Sequence, residues 1–135
     1  LLSNAFKYLV NSLRFSYRNI CAIEETSHYD STRLTIIKGL KEKLYKKIDS
    51  CCNKLIKLLA CDLQPNTTSK EIKAFLKKLE ADYYRYRCEV ATGEGRDALI
   101  EETSDVNLRL FKLSSMLKVR SSRKNCLILI LFVWD

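Results

Sequence analysis

The stretch Asp82-Tyr83-Tyr84-Arg85-Tyr86, with Glu89 one turn further on, places three aromatics, one arginine and two carboxylates within two helical turns. A guanidinium is a planar fork of N–H donors, and a phenol both donates and accepts. Asp82 and Glu89 stand three before and four after Arg85, where carboxylates can hold a helical arginine in a fixed pose. Tyr86 falls between the apolar face and Arg85, so its ring can pack while its hydroxyl reaches the polar edge. This chemistry suits the reception of an anion. It does not suit catalysis, because no base stands beside a nucleophile and the single histidine, His28, falls in a polar link. The bland alternative is a surface ion-pair set worth a few tenths of a kcal/mol per pair.

A second basic group lies near the start of the chain. Lys7, Arg14 and Arg18 are spaced by seven and four. At roughly 100° per residue they fall within about 40° of one another, on the shoulder of an apolar stripe. That stripe is Leu2, Phe6, Leu9, Leu13, Tyr17 and Ile20. The three cations therefore form a ridge beside a core-facing surface, with an ordinary solvated face as the competing reading.

These groups need elements to position them, and the composition favours helices. Apolar residues make up 47% of the 135 positions, enough for the core of one domain. Three glycines and one proline leave few tight turns for a many-stranded β fold. The periodicity predicts a helix over residues 1–25, a polar break at 26–30 and a long helix over 31–62. Ile37, Leu44, Cys51 and Leu58 recur every seven residues there, with Ile48 and Leu55 beside them, as in an antiparallel-bundle seam. Pro65 stops that helix, and Thr68 with Glu71 predicts a capping box for the next, over 69–92. Its predicted core face is Ile72, Phe75, Leu76, Leu79, Tyr83 and Val90. Thr92-Gly93-Glu94-Gly95 ends it, with glycine supplying a left-handed cap. A fourth helix over 96–117 is expected to turn Ile100, Val106, Leu110 and Leu113 inward, and a last segment ends in an apolar run at 126–134. That run is far short of the roughly 20 residues of a membrane span. The expected fold is all-α: an antiparallel bundle of four helices and the start of a fifth, in a single domain covering residues 1–135.

The net charge of +8 suits a negatively charged partner, whether phosphopeptide, nucleic acid or anionic lipid. The six cysteines (21, 51, 52, 61, 88 and 126) lack metal-ligand spacing, so neither a metal nor a cofactor is expected. Most fall on apolar helical positions, which predicts buried free thiols in a reducing compartment. The vicinal pair Cys51-Cys52 reads as seam packing. The chain begins at Leu1, directly in helical periodicity, which reads as a fragment or an incomplete gene model.

A resemblance sharpens this picture. Residues 78–91, Lys-Leu-Glu-Ala-Asp-Tyr-Tyr-Arg-Tyr-Arg-Cys-Glu-Val-Ala, closely resemble the K-M-x-G-D-Y-Y-R-Y-L-A-E-V-A signature of the 14-3-3 proteins. Leu1 to Lys7 resembles the family's L-L-S-V-A-Y-K, Ile20 to Glu25 its V-I-S-S-I-E-Q, and Leu63-Gln64-Pro65-Asn66 the end of its fourth helix. The blocks sit at the family's spacing without a gap. Likeness is strong to about Ala91 and weaker, still in register, beyond it.

The resemblance implies the third to sixth helices and the first part of the seventh of a nine-helix antiparallel protein that binds phosphoserine or phosphothreonine peptides. Arginine-cluster reading of phosphorylated motifs is a mode for which this family is a standard example. It implies a phosphate pocket of Lys7, Arg14, Arg85 and Tyr86, steadied by Asp82 and Glu89. Two guanidinium forks, an ammonium and a phenol suit a group bearing about −1.5 to −2 charges at pH 7. Leu131 stands where the family carries a ligand-binding asparagine, and Lys47 where many members carry an acidic dimer contact. The family's first two helices, which build its dimer interface, and its last two lie outside the match, so dimerisation is not implied. The expected role is a cytoplasmic, non-enzymatic adaptor for Ser/Thr-phosphorylated proteins, weakened by truncation. Specific nucleic-acid binding is not expected. The alternative is a non-functional structural fragment with only non-specific anion binding to nucleic acid or membrane.

Overall fold

A computed structural model describes residues 2–26, 31–93 and 95–118. The polar link with His28, the apolar run at 126–134 with Leu131, and the expected start of a fifth helix lie outside the described residues. Four helices follow in order: α1 (Leu2–Thr26), α2 (Ser31–Lys57), α3 (Lys70–Val90) and α4 (Gly95–Lys118). A π-helical turn, Leu58–Leu63, continues α2. The described residues contain no strand. Each helix packs on the next, and α1 also reaches α3. Short links between packed neighbours give the antiparallel arrangement.

The helix ends follow from local chemistry. Pro65 has no N–H to continue the helix before it. The Gln64 N–H reaches back to the Leu59 carbonyl at 3.0 Å, five residues earlier, which widens the last turn. Carbonyls freed there are taken by side chains: Asn66 Nδ2 donates to Asp62 O at 2.7 Å and Thr67 Oγ1 to Leu63 O at 2.7 Å. At the start of α3 the cap is Ser69, whose Oγ accepts the Ile72 N–H at 3.4 Å. The expected cap, Thr68, is one residue too early. Two hydroxyls stand side by side, and Ser69 caps without a reciprocal carboxylate, because the residue three further on is Ile72. At the far end Ala91 is extended and Gly93 takes a positive φ of 71°. Gly93 tolerates that conformation because it has no Cβ, and its carbonyl accepts the Arg96 N–H at 3.1 Å as α4 begins.

The core is one cluster shared by three helices. Val10 and Tyr17 come from α1, and Ile48, Cys52, Leu55 and Ile56 from α2. Leu59 of the π turn joins them, as do Leu76, Tyr83, Tyr86 and Val90 of α3. Each such side chain contributes about 1.5–3 kcal/mol by leaving water. Leu99 and Val106 of α4 are buried as well.

Several expected inward positions differ. On α2 the fully buried row is Ile48, Cys52, Leu55, Ile56 and Leu59, while Leu44, Cys51 and Leu58 of the heptad are only partly buried. A helix wedged between two neighbours buries a wider arc than a heptad seam, and that arc is rotated. Leu9, Ile72, Phe75 and Ile100 are about half exposed. They belong to apolar stripes that no described element covers. Burial and the neighbouring Cys51 push the Cys52 thiol up to about 12, so it stays protonated.

A buried ion pair was not foreseen. Lys77 and Glu80 are 8% and 4% exposed, and Lys77 Nζ meets Glu80 Oε2 at 2.7 Å. Gln64 Nε2 donates to the same oxygen at 2.5 Å, tying the end of the π turn to α3.

Candidate cationic site on α1 and α3

Arg14 rises from the α1 ridge toward α3. It faces the ring of Tyr86, with its Cζ 3.9 Å from the centroid. Arg85, one residue earlier on α3, brings its own Cζ to 5.5 Å from the same centroid. Two guanidinium groups from two helices thus share one buried phenol ring, an arrangement a cation–π attraction favours. Tyr86 is held in turn by Tyr83, edge to face at 5.4 Å and 72°.

Glu89 is the pivot of the cluster. Its Oε2 accepts Arg14 Nε at 2.8 Å and lies 2.5 Å from Arg14 Nη2, while its Oε1 accepts Arg18 Nε at 2.6 Å. Arg14 Nη1 donates to Asn11 Oδ1 at 3.0 Å. These contacts use three of the five N–H donors of Arg14 and leave one on each terminal nitrogen. Burial raises Glu89, but the hydrogen bonds and charges of Arg18 and Arg14 outweigh it and hold the carboxyl below its ordinary range. The carboxylate expected one turn from Arg85 is therefore engaged by α1.

Asp82 serves Arg85, with Oδ1 3.6 Å from Arg85 Nη2, and Lys78 Nζ stands 3.8 Å from its Oδ2. Burial raises the Asp82 carboxyl despite the opposing charges of Lys78, Arg85 and Lys7. Burial also lowers the Lys78 ammonium, and the like charges of Lys7 and Arg85 add to that. Lys7 is exposed on α1. Its field reaches both members of this pair.

The structure thus gathers Lys7, Arg14, Arg85, Tyr86, Asp82 and Glu89 around the facing surfaces of α1 and α3. It adds Arg18, Asn11 and Lys78. The signals for these three were present: Arg18 follows Arg14 by four, Asn11 precedes it by three, and Lys78 precedes Asp82 by four. Among the described residues no group of three or more His, Cys, Asp or Glu side chains is placed to hold a metal ion. No described helix is long and apolar enough to cross a membrane.

Beneath the cluster Tyr83 is 2% exposed, and its hydroxyl is buried without a hydrogen-bond partner. Burial, with Tyr86, Cys52 and Asp82 nearby, pushes this phenol well above its ordinary range. An unmet buried hydroxyl costs about 1–3 kcal/mol. Tyr83→Phe is therefore expected to leave stability unchanged or raise it by about 1 kcal/mol, read from the urea midpoint. A clear loss of stability would mean that the hydroxyl has a partner.

Fold and site define a class: an all-α bundle whose facing helices assemble a cationic, tyrosine-backed surface. A family model described as 14-3-3 protein matches residues 1–122. The chain is 39% identical over 103 residues to 14-3-3 protein homolog 2 of Schistosoma mansoni, covering 76% of this chain and 48% of that relative. It is 35% identical over 114 residues to 14-3-3 protein theta of Mus musculus, covering 84% and 46%. It is 32% identical over 114 residues to 14-3-3 protein beta/alpha of Homo sapiens, again covering 84% and 46%. The chain belongs to the 14-3-3 family. It spans about half the length of the curated relatives it matches.

Proposed function

We propose that this chain is a phosphoserine/phosphothreonine-peptide-binding module, an adaptor in signal transduction rather than an enzyme. The observation that carries the reading is the convergence of Arg14 and Arg85 from separate helices on the ring of Tyr86. A phosphate at their common edge would meet the N–H donors that Arg14 keeps and the Arg85 fork. Lys7 supplies further positive field. Charge-assisted hydrogen bonds of this kind are about twice as strong as neutral ones. Asp82 and Glu89 hold the arginines in place beforehand, so little ordering is left for the ligand to cause. Family membership supports the same role in general terms. We place the protein in the cytoplasm and treat residues 1–135 as one domain.

The test is a titration of a fluorescent Arg-x-x-phosphoserine peptide beside its unphosphorylated twin. We expect the phosphorylated form to bind at least tenfold more tightly, and that preference to persist at physiological salt. Equal affinities, or two affinities that vanish together as salt rises, would reduce the cluster to a non-specific anion binder.

A further inference from the structure

Where α1, α2 and the end of α3 meet, the described residues leave a cleft of about 200 Å³. Its floor is the buried pair Tyr17 and Val90. One wall is the ring of Tyr45, which packs against the core and is held there. Lys41 stands over the Tyr17 ring, its Nζ 5.9 Å from the centroid. Lys38 and Thr92 are exposed at the rim. The charges of the cleft do not cancel. Lys41 is matched by Glu24 at 2.5 Å, and the rim carboxylate of Glu42 is taken by Lys46 at 2.7 Å. The hydrogen bond to Glu24 raises the Lys41 ammonium above its ordinary range, so it stays charged and paired. Lys38 is engaged by no carboxylate among the described residues. Burial raises the Tyr17 phenol, so it stays neutral, and its hydroxyl is spent on the Val90 carbonyl at 3.3 Å. The hydroxyls of Tyr45 and Thr92 make no hydrogen bond within the described residues. The cleft thus combines phenol rings below with a surplus positive charge and unspent hydroxyls above.

We propose that this cleft binds a small aromatic carboxylate, a single ring with a short acid side chain. The ring would lie against Tyr17 and Tyr45, in the offset or edge-to-face arrangements that aromatic pairs prefer. The carboxylate would meet the Lys38 ammonium at the rim in a charge-assisted hydrogen bond, with the Tyr45 or Thr92 hydroxyl as a second donor. Size and charge select this class. Sites for larger ligands run to about 300–1,000 Å³, so a nucleotide or a lipid chain is too big. An amine would face Lys38 and Lys41 with both nearby carboxylates already taken. A bare inorganic anion would leave the Tyr17 and Val90 floor against water. A neutral ring would leave the charge of Lys38 unmatched. The cleft shares no residue with the Arg14–Glu89 cluster and needs no phosphate, so it stands apart from the phosphopeptide reading.

The test is a titration of phenylacetate into the full chain, followed by calorimetry and by the NMR shifts of the backbone amides. Saturable binding is expected, with shifts at Tyr45 and Thr92. Phenylacetamide, which keeps the ring and loses the charge, and acetate, which keeps the charge and loses the ring, should each bind at least tenfold more weakly. Lys38→Gln should weaken phenylacetate at least fivefold and leave phenylacetamide unchanged. Thr92→Phe should close the mouth and abolish binding, and Arg85→Ala should have no effect. Lys38 and Thr92 are exposed, so circular dichroism should match the parent; if Thr92→Phe disturbs the turn after α3, Glu42→Tyr on the same rim serves in its place. Absence of saturable binding, or acetate or phenylacetamide binding as well as phenylacetate, would overturn the proposal. So would affinity that survives Lys38→Gln, or affinity lost in Arg85→Ala, which would put the acid on the cationic cluster instead.

Discussion

An Arg85→Ala chain is expected to bind a phosphoserine peptide no better than the unphosphorylated twin. The lost affinity follows from the strength of a hydrogen bond to a charged group, about 1.5–3 kcal/mol, or roughly tenfold to a hundredfold in Kd. Arg85 is half exposed, and its contact with Asp82 at 3.6 Å is long, so the fold should not notice the change. Helix content by circular dichroism should match the parent. Arg14→Ala provides the contrast. It should lower phosphopeptide affinity as much, but it also strips Glu89 of its closest partner and Tyr86 of its stacked cation. A lower denaturation midpoint should therefore accompany it. An Arg85→Ala chain that still discriminates between the two peptides would show that phosphate is read elsewhere.

The largest stability effect is expected at a pair remote from that chemistry. Lys77→Met removes the ammonium that neutralises Glu80, leaving a carboxylate that is 4% exposed with Gln64 as its remaining hydrogen-bond donor. Breaking a buried pair on one side costs about 3–5 kcal/mol. The retained Gln64 contact places this case at the lower end, about 3 kcal/mol. Adding Glu80→Gln should recover most of that loss, because the second change removes the uncompensated charge. Urea denaturation of the two single variants and the double variant measures it. A Lys77→Met chain with an unchanged midpoint would mean that the carboxylate reaches water.

Much of the fold was legible because helices advertise themselves locally. The four helix spans differ from the periodicity by only a few residues at either end, except where the π turn interrupts the end of the second. Pro65, the hydroxyls before Lys70 and Gly93 mark boundaries in any context. What periodicity does not carry is the identity of the neighbour. Ile72 and Phe75 sit on a correct apolar stripe, yet nothing in the stripe says how far around the helix the next element reaches. Lys77 and Glu80 read as surface charges because residue type predicts exposure, and only packing against the π turn removes them from water. The cluster shows the same division. Arg85, Tyr86 and the carboxylates could be chosen by type and spacing, whereas spacing put Arg14 only in a basic ridge and the family resemblance joined it to them. Which arginine Glu89 would take could not, because the answer depends on how α1 crosses α3.

The grip of Glu89 on Arg14 sets what an incoming anion must achieve. The fork is already occupied by a resident carboxylate, held by the fold and therefore present at high effective concentration. On the proposed reading, the incoming anion binds beside Glu89 and shares Arg14 with it, so it meets a cation whose charge is already partly neutralised. A glutamate or aspartate from a partner offers Arg14 the same group it already holds, with the added entropy loss of association. A phosphate offers a third oxygen and up to a second charge, and it can use the N–H donors that Glu89 and Asn11 leave over. The internal ligand thereby sets a threshold that a phosphorylated side chain can pass and its acidic mimic cannot.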